Sequence, residues 1–423
     1  MECIKKHITG ESLGKWIGIY IILQPIIDFL TSFMVRFSSS SVTIGIVFRF
    51  LFLLLLGCIV IFYVPWKQKK LSLIFVFLSI LYGIGYLFVN FDTFGVLFVE
   101  IKGFMKTFFL PYTVVFLYDL CRYYKVKIKL NYLVICGLIY IGVIFVAAIT
   151  NSSFFSYQYD KVGHVGWFYA ANEIGAIIGL LSFLVFYSLG YLKNKIISYI
   201  LLIAYGFISL LIGTKVPFFG VCIAFVVLII YYMIIKERKK TILFVCAFVT
   251  VLAFAPFSNL AKNLGIHINI LQTKEEISNE QISNSDKLTS LVLSDRNIFF
   301  EQNMNLFSNQ DIVTKAFGIG YYYDGEEYKL IEMDFADILV SQGIIGFILI
   351  FALALYFIIN ILRNIIAKKF AFDEISFLCF ISLGVAIAIS FIAGHVLVAP
   401  AVSIYVVLFI VQCKWMRIED KSI

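Results

Sequence analysis

Charged residues are scarce in this chain of 423 residues. Asp, Glu, Lys and Arg together make up 14% of it, whereas hydrophobic residues make up 61% and the mean hydropathy is +0.97. Soluble globular domains carry roughly a quarter of their residues as charged side chains. The composition therefore excludes an ordinary soluble protein. Apolar runs of about 20 residues recur along the chain, and each is long enough to cross a hydrocarbon core about 30 Å thick.

The metal-binding and disulfide-forming residues are few or poorly spaced. The chain has four histidines and eight cysteines, and no two cysteines have CxxC spacing. Neither a disulfide framework nor a zinc site is favoured by this pattern. His395 has no second histidine nearby that would suggest a metal, so a structural or interfacial role is the expectation for it. We expect no metal, no cofactor and no nucleic-acid partner.

The apolar runs predict an all-α fold, a polytopic transmembrane helical bundle of about 12 spans. The predicted spans are 16–34, 42–64, 71–90, 96–119, 130–149, 166–190, 196–213, 216–235, 241–257, 335–361, 373–393 and 396–413. Three regions follow from them. Residues 1–258 hold the first nine spans, 259–334 form one long loop, and 335–423 hold the last three spans and a tail.

The long loop is the one extended polar segment, and its charge differs from that of the chain. Between Asn259 and Asp334 there are twelve acidic and six basic residues, although the whole chain has a net charge of +8. A loop of this length between membrane helices is more often functional than merely connecting. We therefore expect it to be a catalytic loop.

The basic residues predict the orientation. Alternate connections between spans collect 22 of the 34 Lys and Arg residues, whereas the short connections on the other side hold only Arg36, Lys161 and Lys215. Because basic residues accumulate on the cytoplasmic side, both termini are expected to be cytoplasmic. The long loop is then extracytoplasmic, and the expected location is the plasma membrane.

Ionisable residues within the predicted spans share one side, the outer half. They come from different spans, and Lys102 and Lys106 are four residues apart and so lie on one helix face. Each could be a side chain that snorkels to the interface. Together they predict a polar, largely cationic cavity suited to an anionic lipid head group. The set is Asp28, Arg49, Glu100, Lys102, Lys106, Glu173 and Lys215, with His395 in the last outer connection.

Several short segments resemble a known family, the O-antigen ligase and polymerase (Wzy-type) superfamily, and in particular its Gram-positive O-antigen-ligase-like members. The resemblance covers most of the chain. The segments are Gln24–Thr31 (QPIIDFLT), Gly166–Gly175 (GWFYAANEIG), Ile212–Lys215 (IGTK), Ser294–Arg296 (SDR) and Glu332–Gly346, which ends in GIIG.

The resemblance implies a GT-C-like fold and a metal-independent glycosyltransferase that acts on undecaprenyl-pyrophosphate-linked glycans outside the membrane. Ligases begin the last segment with His-Asn, but this chain has Glu332 and Met333 there. Glu332 is accordingly the predicted base, with Asp334 as the alternate, and Arg296 is the third predicted catalytic residue. The predicted substrate-binding residues are Lys215, Arg49, Lys102, Lys106, Asn172 and Asp28.

Elementary chemistry agrees with these roles. Fixed cations stabilise a departing pyrophosphate, and Arg and Lys suit phosphate oxygens. A carboxylate at the mouth of a low-dielectric cavity can have a raised pKa, which makes it a better base.

Plainer interpretations remain open for the same residues. Asp334 and Asp337 could simply cap a helix N-terminus. Glu332 and Arg296 could be ordinary charges of a solvated loop, and Asn172 could bond to a neighbouring helix. The pair Gly318 and Gly320 favours a turn over a phosphate cradle, because no strand-to-helix context surrounds it. The residues with such an alternative interpretation are Asp334, Asp337, Glu332, Arg296, Asn172, Gly318 and Gly320.

The resemblance, together with these residues, implies a polymerase that joins lipid-linked repeat units into a capsular polysaccharide or exopolysaccharide. The alternative within the enzyme class is a ligase that moves a finished glycan to another acceptor. A different class is a lipid-linked oligosaccharide transporter, but a transporter should carry polar groups through the full depth of its spans. The expected partners are the lipid-linked oligosaccharide, membrane lipid, and a flippase and a chain-length regulator of the same pathway.

Overall fold

The computed structural model describes residues 8–38, 42–157, 161–278, 284–294, 296–323, 326–327, 329–366, 373–413 and 417–419. Asp295 of the SDR segment therefore lies outside the described residues. The helices are α1 (Gly10–Phe37), α2 (Ile44–Tyr63), α3 (Lys70–Asn90), α4 (Phe94–Tyr124), α5 (Leu130–Ile149), α6 (Ala171–Gly190), α7 (Lys195–Leu211), α8 (Lys215–Ile234), α9 (Arg238–Phe254), α10 (Asn259–Ser278), α11 (Asn284–Leu293), α12 (Arg296–Ser308), α13 (Ile312–Phe317), α14 (Asp334–Ile366), α15 (Glu374–Ile392) and α16 (Pro400–Gln412).

Sheet structure in the described residues is limited to three two-stranded pairs. The strands are β1 (Lys127–Lys129), β2 (Phe154–Phe155), β3 (His164–Gly166), β4 (Tyr322–Tyr323), β5 (Glu326–Glu327) and β6 (Arg417–Glu419). β1 pairs with β6 in parallel, whereas β2 with β3 and β4 with β5 are antiparallel. The parallel pair joins the connection before α5 to the chain beyond α16.

Each of the twelve predicted spans corresponds to a helix. In the described part of the chain, ten helices are long and apolar enough to cross a membrane. These are α1 to α6, α8, α9, α14 and α15, while α7 and α16 are shorter apolar helices of 17 and 13 residues. The prediction of an all-α polytopic membrane protein is confirmed. The division into three regions stays a prediction, although α9 and α14 flank the long loop.

Helix α6 lies at the centre of the bundle. Within its most apolar window 94% of the residues are buried, against 17% for α9, which lies at the edge. Gly179 of α6 faces Gly220 of α8, and a Cβ atom on Gly220 would lie only 2.6 Å from the Gly179 Cα atom. Small residues at a helix contact let the two backbones approach closely. This contact fixes the position of α8, whose first turn carries Lys215.

The long loop folds into four helices, α10 to α13, and then docks on a kink in α14. Gly343 interrupts α14 with φ 66° and ψ −176°. The kink leaves carbonyl groups of the preceding turn available, because it breaks the regular hydrogen-bond ladder. The Ile319 amide donates to the Val340 carbonyl at 3.0 Å, and the Gly320 amide donates to the Ser341 carbonyl at 3.2 Å. The Gly318 and Gly320 segment is thus a turn that packs against a helix.

Glu100 of α4 secures the same loop. One of its carboxylate oxygens accepts hydrogen bonds from the amides of Tyr321 and Tyr322, each at 2.8 Å, and the other accepts from the Tyr86 hydroxyl. Glu100 is fully buried. Sequence analysis grouped it with the cavity charges, but its structural contacts are with the loop backbone. The loop is consequently held against the bundle at both α4 and α14.

Candidate functional site

Two adjoining cavities lie where the spans meet the long loop. The larger cavity has a volume of about 700 Å³ and the smaller cavity about 480 Å³. Ala170 and His395 line both of them. The charged residues and histidines of the larger cavity are Asp28, Arg49, Lys102, Lys106, Glu173, Glu327, Asp337 and His395. Those of the smaller cavity are Lys161, Lys215, His267, Arg296, Glu332 and His395.

The predicted site residues divide between these cavities. Asp28, Arg49, Lys102 and Lys106 line the larger cavity. Asn172, Lys215, Arg296 and Glu332 line the smaller one, and Asp334 lines neither. The structure therefore brings eight of the nine residues to two neighbouring spaces. Their catalytic and binding roles stay predictions.

The larger cavity is mixed in charge and not largely cationic as expected. Three Lys and Arg side chains share it with four carboxylates. Arg49 forms a buried ion pair with Asp28, whose other oxygen accepts a 2.6 Å hydrogen bond from the Tyr140 hydroxyl. Lys102 Nζ lies 3.6 Å from a carboxylate oxygen of Glu327. Because its cations are matched by acids, this cavity has little net attraction for an anion.

The smaller cavity is the cationic one, although Lys215 is the only Lys or Arg residue of the expected set that lines it. Lys161, Lys215 and Arg296 line it with Glu332 as the single carboxylate. The first turns of α6 and α8 also line it, and neither helix has a side-chain cap on its N-terminus. The positive end of a helix dipole attracts anions, as do its unpaired amide groups. Charge and helix ends together make this cavity the better anion site.

Two polar atoms in the smaller cavity have no hydrogen-bond partner among the described residues. They are Arg296 Nε and Thr214 Oγ1, and both are buried. Buried polar atoms are nearly always paired. A ligand with phosphate or hydroxyl oxygens would supply the missing partners. Lys215, the next residue along, donates to the Leu291 carbonyl and to Ser294 Oγ, the latter at 2.9 Å.

Glu332 lies between two cationic side chains. Its Oε2 accepts a hydrogen bond of 2.6 Å from Arg296 Nη2, and its Oε1 lies 3.9 Å from His395 Nε2. Interaction with His395 and the charge of Arg296 outweigh burial and lower the pKa of Glu332 to about 2. The pKa of Glu332 is thus lowered, whereas a raised pKa was expected from the sequence. A carboxylate with so low a pKa is a weak proton acceptor.

His395 has the opposite shift. Burial alone lowers the pKa of this histidine, but Glu332, Glu173 and Asp334 together outweigh burial and raise the pKa above 6.5. Its backbone is left-handed, with φ 59°, and that of Glu332 is left-handed too, with φ 64°. Residues other than glycine adopt this conformation at a cost, and such strain concentrates at functional sites.

Asp334 and Asp337 hold the two segments that carry this pair. The Asp334 carboxylate accepts from the amides of Val396 at 3.0 Å and Leu397 at 2.7 Å, just beyond His395. The Asp337 carboxylate accepts from the amides of Ile331 at 2.7 Å and Met333 at 3.1 Å, on either side of Glu332. Both acids lie in the first turn of α14, as the capping interpretation expected, but their contacts reach beyond that helix.

Comparison with known families agrees with this architecture. A family model described as O-antigen ligase like membrane protein matches residues 11–416. The chain belongs to this family. No curated protein matches the chain at a significant level. Membership makes this O-antigen ligase-like protein a membrane protein that handles glycans, and an enzyme of the glycosyl-transfer type.

Two cavity residues of this O-antigen ligase-like protein had no catalytic or binding role in the predicted site. Lys161 was used only to assign orientation, yet it lines the smaller cavity. His395 was given a structural or interfacial role, yet it forms part of both cavity walls. The available signal was that Glu332 and His395 fall in successive outer connections, just before α14 and α16. Among the described residues no group of three or more His, Cys, Asp or Glu could hold a metal ion.

Proposed function

We propose that this protein is a polysaccharide polymerase. It transfers a glycan from undecaprenyl pyrophosphate to a lipid-linked repeat unit at the outer face of the plasma membrane, with both termini in the cytoplasm. The observation that carries the proposal is the pair of adjoining cavities, one cationic and one mixed in charge, that share His395 as a wall. Two substrates that react with each other need two binding spaces that meet.

The smaller cavity suits the pyrophosphate of the donor. Lys215 and Arg296 supply fixed positive charge, and Arg296 has a buried Nε donor that is still unpaired among the described residues. Arg matches phosphate oxygens through its forked donors, whereas Lys acts as a point charge. Asn172 adds an amide beside the N-terminus of α6. These groups stabilise the negative charge that grows on the departing pyrophosphate.

The larger cavity suits the sugars of the acceptor. Paired charges such as Arg49 with Asp28 and Lys102 with Glu327 present many hydrogen-bonding atoms with little net charge. Sugar hydroxyls both donate and accept, so a mixed lining serves them better than a purely cationic one. Lys106 lies in this cavity with them. The glycan is bound or oriented here by four residues, Asp28, Arg49, Lys102 and Lys106. The donor pyrophosphate binds in the smaller cavity.

The reaction exchanges one bond for another at the anomeric carbon of the donor. A hydroxyl oxygen of the acceptor forms a bond to that carbon, and its proton passes to a base. The bond between the anomeric carbon and the phosphate oxygen breaks, and its electron pair leaves with undecaprenyl pyrophosphate. Arg296 stabilises that leaving group, and Glu332 fixes the guanidinium through their 2.6 Å hydrogen bond. No redox partner is needed.

A ligase is the second candidate, because the matching family is described as ligase-like. Both activities use the same donor and differ in the acceptor. A transporter is less well supported, because the residues of both cavities cluster beside the long loop and do not line a path through the bundle. A flippase that delivers the lipid-linked units and a regulator of chain length are the partners this function requires.

Reconstitution tests the proposal directly. The purified protein is placed in liposomes with a short undecaprenyl-pyrophosphate-linked oligosaccharide, first alone and then with a second glycan acceptor that carries no pyrophosphate. A polymerase produces a ladder of multiples and releases undecaprenyl pyrophosphate. Lys215→Met should abolish the ladder, while Lys262→Ala, an exposed cation outside both cavities, should leave it intact. Transfer only to a different acceptor identifies a ligase, and movement across the bilayer without any new glycan bond identifies a transporter.

A further inference from the structure

We propose that His395 takes the proton from the acceptor hydroxyl, and that Asp334 and Asp337 are positioning residues that hold the pair His395 and Glu332 together. The inference rests on the proposed glycosyl transfer and assigns its proton acceptor. His395 thus takes the role of base that was predicted for Glu332. Glu332 instead stabilises the charged ring of His395.

His395 lies where the two cavities meet. The donor's anomeric carbon must reach the acceptor's hydroxyl where the two cavities meet. Only Ala170 and His395 line both cavities among the described residues, and alanine has no proton-accepting group in its side chain. The Glu332 carboxylate lines the smaller cavity alone, on the side of the leaving group. A base must lie within hydrogen-bond reach of the proton it removes, and His395 has that position.

The backbone is strained at both His395 and Glu332. Glu332 and His395 face each other from two separate connections, and both have left-handed φ angles. Each connection is fixed by a buried aspartate of α14 through two amide hydrogen bonds, Asp337 around Glu332 and Asp334 just after His395. A site whose side chains are pre-positioned reacts faster, because no reorganisation is needed in the reaction itself. One turn of α14 therefore sets the geometry of both residues.

The pairing also selects the ring nitrogen that reacts. His395 Nε2 faces the Glu332 carboxylate at 3.9 Å, so a hydrogen on Nε2 is favoured there. The lone pair is then on Nδ1, and Nδ1 accepts the hydroxyl proton as the oxygen attacks the anomeric carbon. The imidazolium that forms is stabilised by Glu332, and its proton passes to water after the product leaves. The leaving pyrophosphate takes the electron pair of the broken bond.

The charges around the ring allow a test by pH. Carboxylates on three elements face His395. Cations share both cavities with it: Lys161, Lys215 and Arg296 in the smaller cavity, and Arg49, Lys102 and Lys106 in the larger cavity. The carboxylates are Glu173 of α6, Glu332 before α14, and Asp334 and Asp337 of α14. Their net effect raises the pKa of His395 above 6.5. Activity should therefore fall as pH decreases through a midpoint above that value, because protonated imidazole cannot accept a proton.

The experiment measures the transfer rate against pH for the wild type and three variants in liposomes. His395→Gln should lose about 100-fold or more of the rate, and what remains should no longer fall at acid pH. Glu332→Gln should shift the acid midpoint to lower pH, because the imidazolium loses its carboxylate. His164→Gln is the matched control, since His164 lies in β3 outside both cavities. It should match the wild type in rate and midpoint.

Two results would overturn the proposal. The first is that His395→Gln retains the wild-type rate or still loses rate at acid pH. The second is that Glu332→Gln has the same acid midpoint as the wild type. The second result tests the proposal without altering His395, so it decides the matter even where the His395 variant fails to fold. Binding of the lipid-linked donor is measured alongside, and His395→Gln should retain it. A wild type that transfers no glycan at any pH refutes the proposed function itself, which is a separate outcome.

Discussion

Arg296 Nη2 donates a hydrogen bond of 2.6 Å to Glu332 Oε2 across the smaller cavity. The bond joins the first residue of α12 to the segment before α14, which are 36 positions apart in the chain. The two residues belong to different segments that resemble the family, Ser294–Arg296 and Glu332–Gly346. Partly exposed ion pairs stabilise a protein little, and the Glu332 side chain is 44% exposed. The pair is therefore better explained by function than by stability.

Replacing Arg296 should impair transfer more than folding. We expect Arg296→Ala to cost about 2–4 kcal/mol of transition-state stabilisation, which is roughly a thirty-fold to thousand-fold loss of rate. Arg296→Lys should recover only part, because an ammonium group lacks the fork that contacts two oxygens. Rates in liposomes at equal protein levels measure the effect. Near-normal rates in both Arg296→Ala and Lys215→Ala would exclude these two residues as the pyrophosphate site.

The buried ion pair between Asp28 and Arg49 should behave differently. Removing one member leaves a buried charge unpaired, which costs about 3–5 kcal/mol. Arg49→Met and Asp28→Leu should each lower the thermal unfolding midpoint of the purified protein. The double variant should recover much of that loss, since neither charge then remains. If the double variant is stable but inactive, the pair also binds glycan; if it is stable and active, the pair is structural only.

The spans could be predicted from the sequence because hydropathy depends on composition along the chain. The common location of Asp28, Arg49, Lys102 and Lys106 could be predicted too, since their depth follows from the topology. The sequence could not predict that Lys215 and Arg296 line a second, separate cavity. This separation depends on how α6 and the connection after α15 lie between them, which is a tertiary arrangement.

The contacts of single acids were also beyond sequence reasoning. Three acids accept hydrogen bonds from backbone amides of irregular segments: Glu100, Asp334 and Asp337. The segments that contact Glu100 and Asp334 are also distant in the sequence. A carboxylate near a helix start looks the same in sequence whether it caps its own helix or holds another loop. The low pKa of Glu332 likewise depends on His395, which is 63 positions further along the chain.

The orientation of the protein can be tested with two cysteine variants. Ile312 in α13 is 85% exposed, and Lys239 at the start of α9 is exposed at the opposite end of the bundle. A membrane-impermeant maleimide should label Ile312→Cys in intact cells and should label Lys239→Cys only after the cells are permeabilised. The native cysteines provide the background signal. Labelling in the reverse order would place the long loop in the cytoplasm and remove the basis of the proposed function.

The positioning role of the α14 acids predicts a loss that is specific to rate. Asp337→Asn keeps the shape but replaces one accepting oxygen with a donor that faces an amide, so one of its two hydrogen bonds is lost. We expect a lower maximal rate with little change in donor binding, because the smaller cavity keeps Lys215 and Arg296. Asp334→Asn should do the same through the His395 connection. An equal loss of donor binding and rate would indicate general misfolding.

The last prediction concerns stability against pH, and its sign is opposite to that of activity. The folded pKa of His395 lies above 6.5, so the folded state favours the protonated ring. That contribution to stability is fully present below 6.5 and is lost as pH rises through the folded pKa. Glu332 has a lowered pKa, so its own contribution is present above 4.5 and is lost only as pH falls towards 2.

Between about pH 5.5 and about pH 8.5 Glu332 stays ionised and contributes no change in stability, so the difference between the wild type and His395→Gln isolates the contribution of His395. The unfolding midpoint of the wild type should exceed that of His395→Gln by more at the acid end of this range than at the alkaline end. Over the same range the transfer rate should rise with pH, since the protonated ring that stabilises the fold cannot act as a base. If the wild type exceeds His395→Gln in unfolding midpoint by more at alkaline pH, the folded state favours the neutral ring. Glu332 would then not stabilise the protonated form of His395.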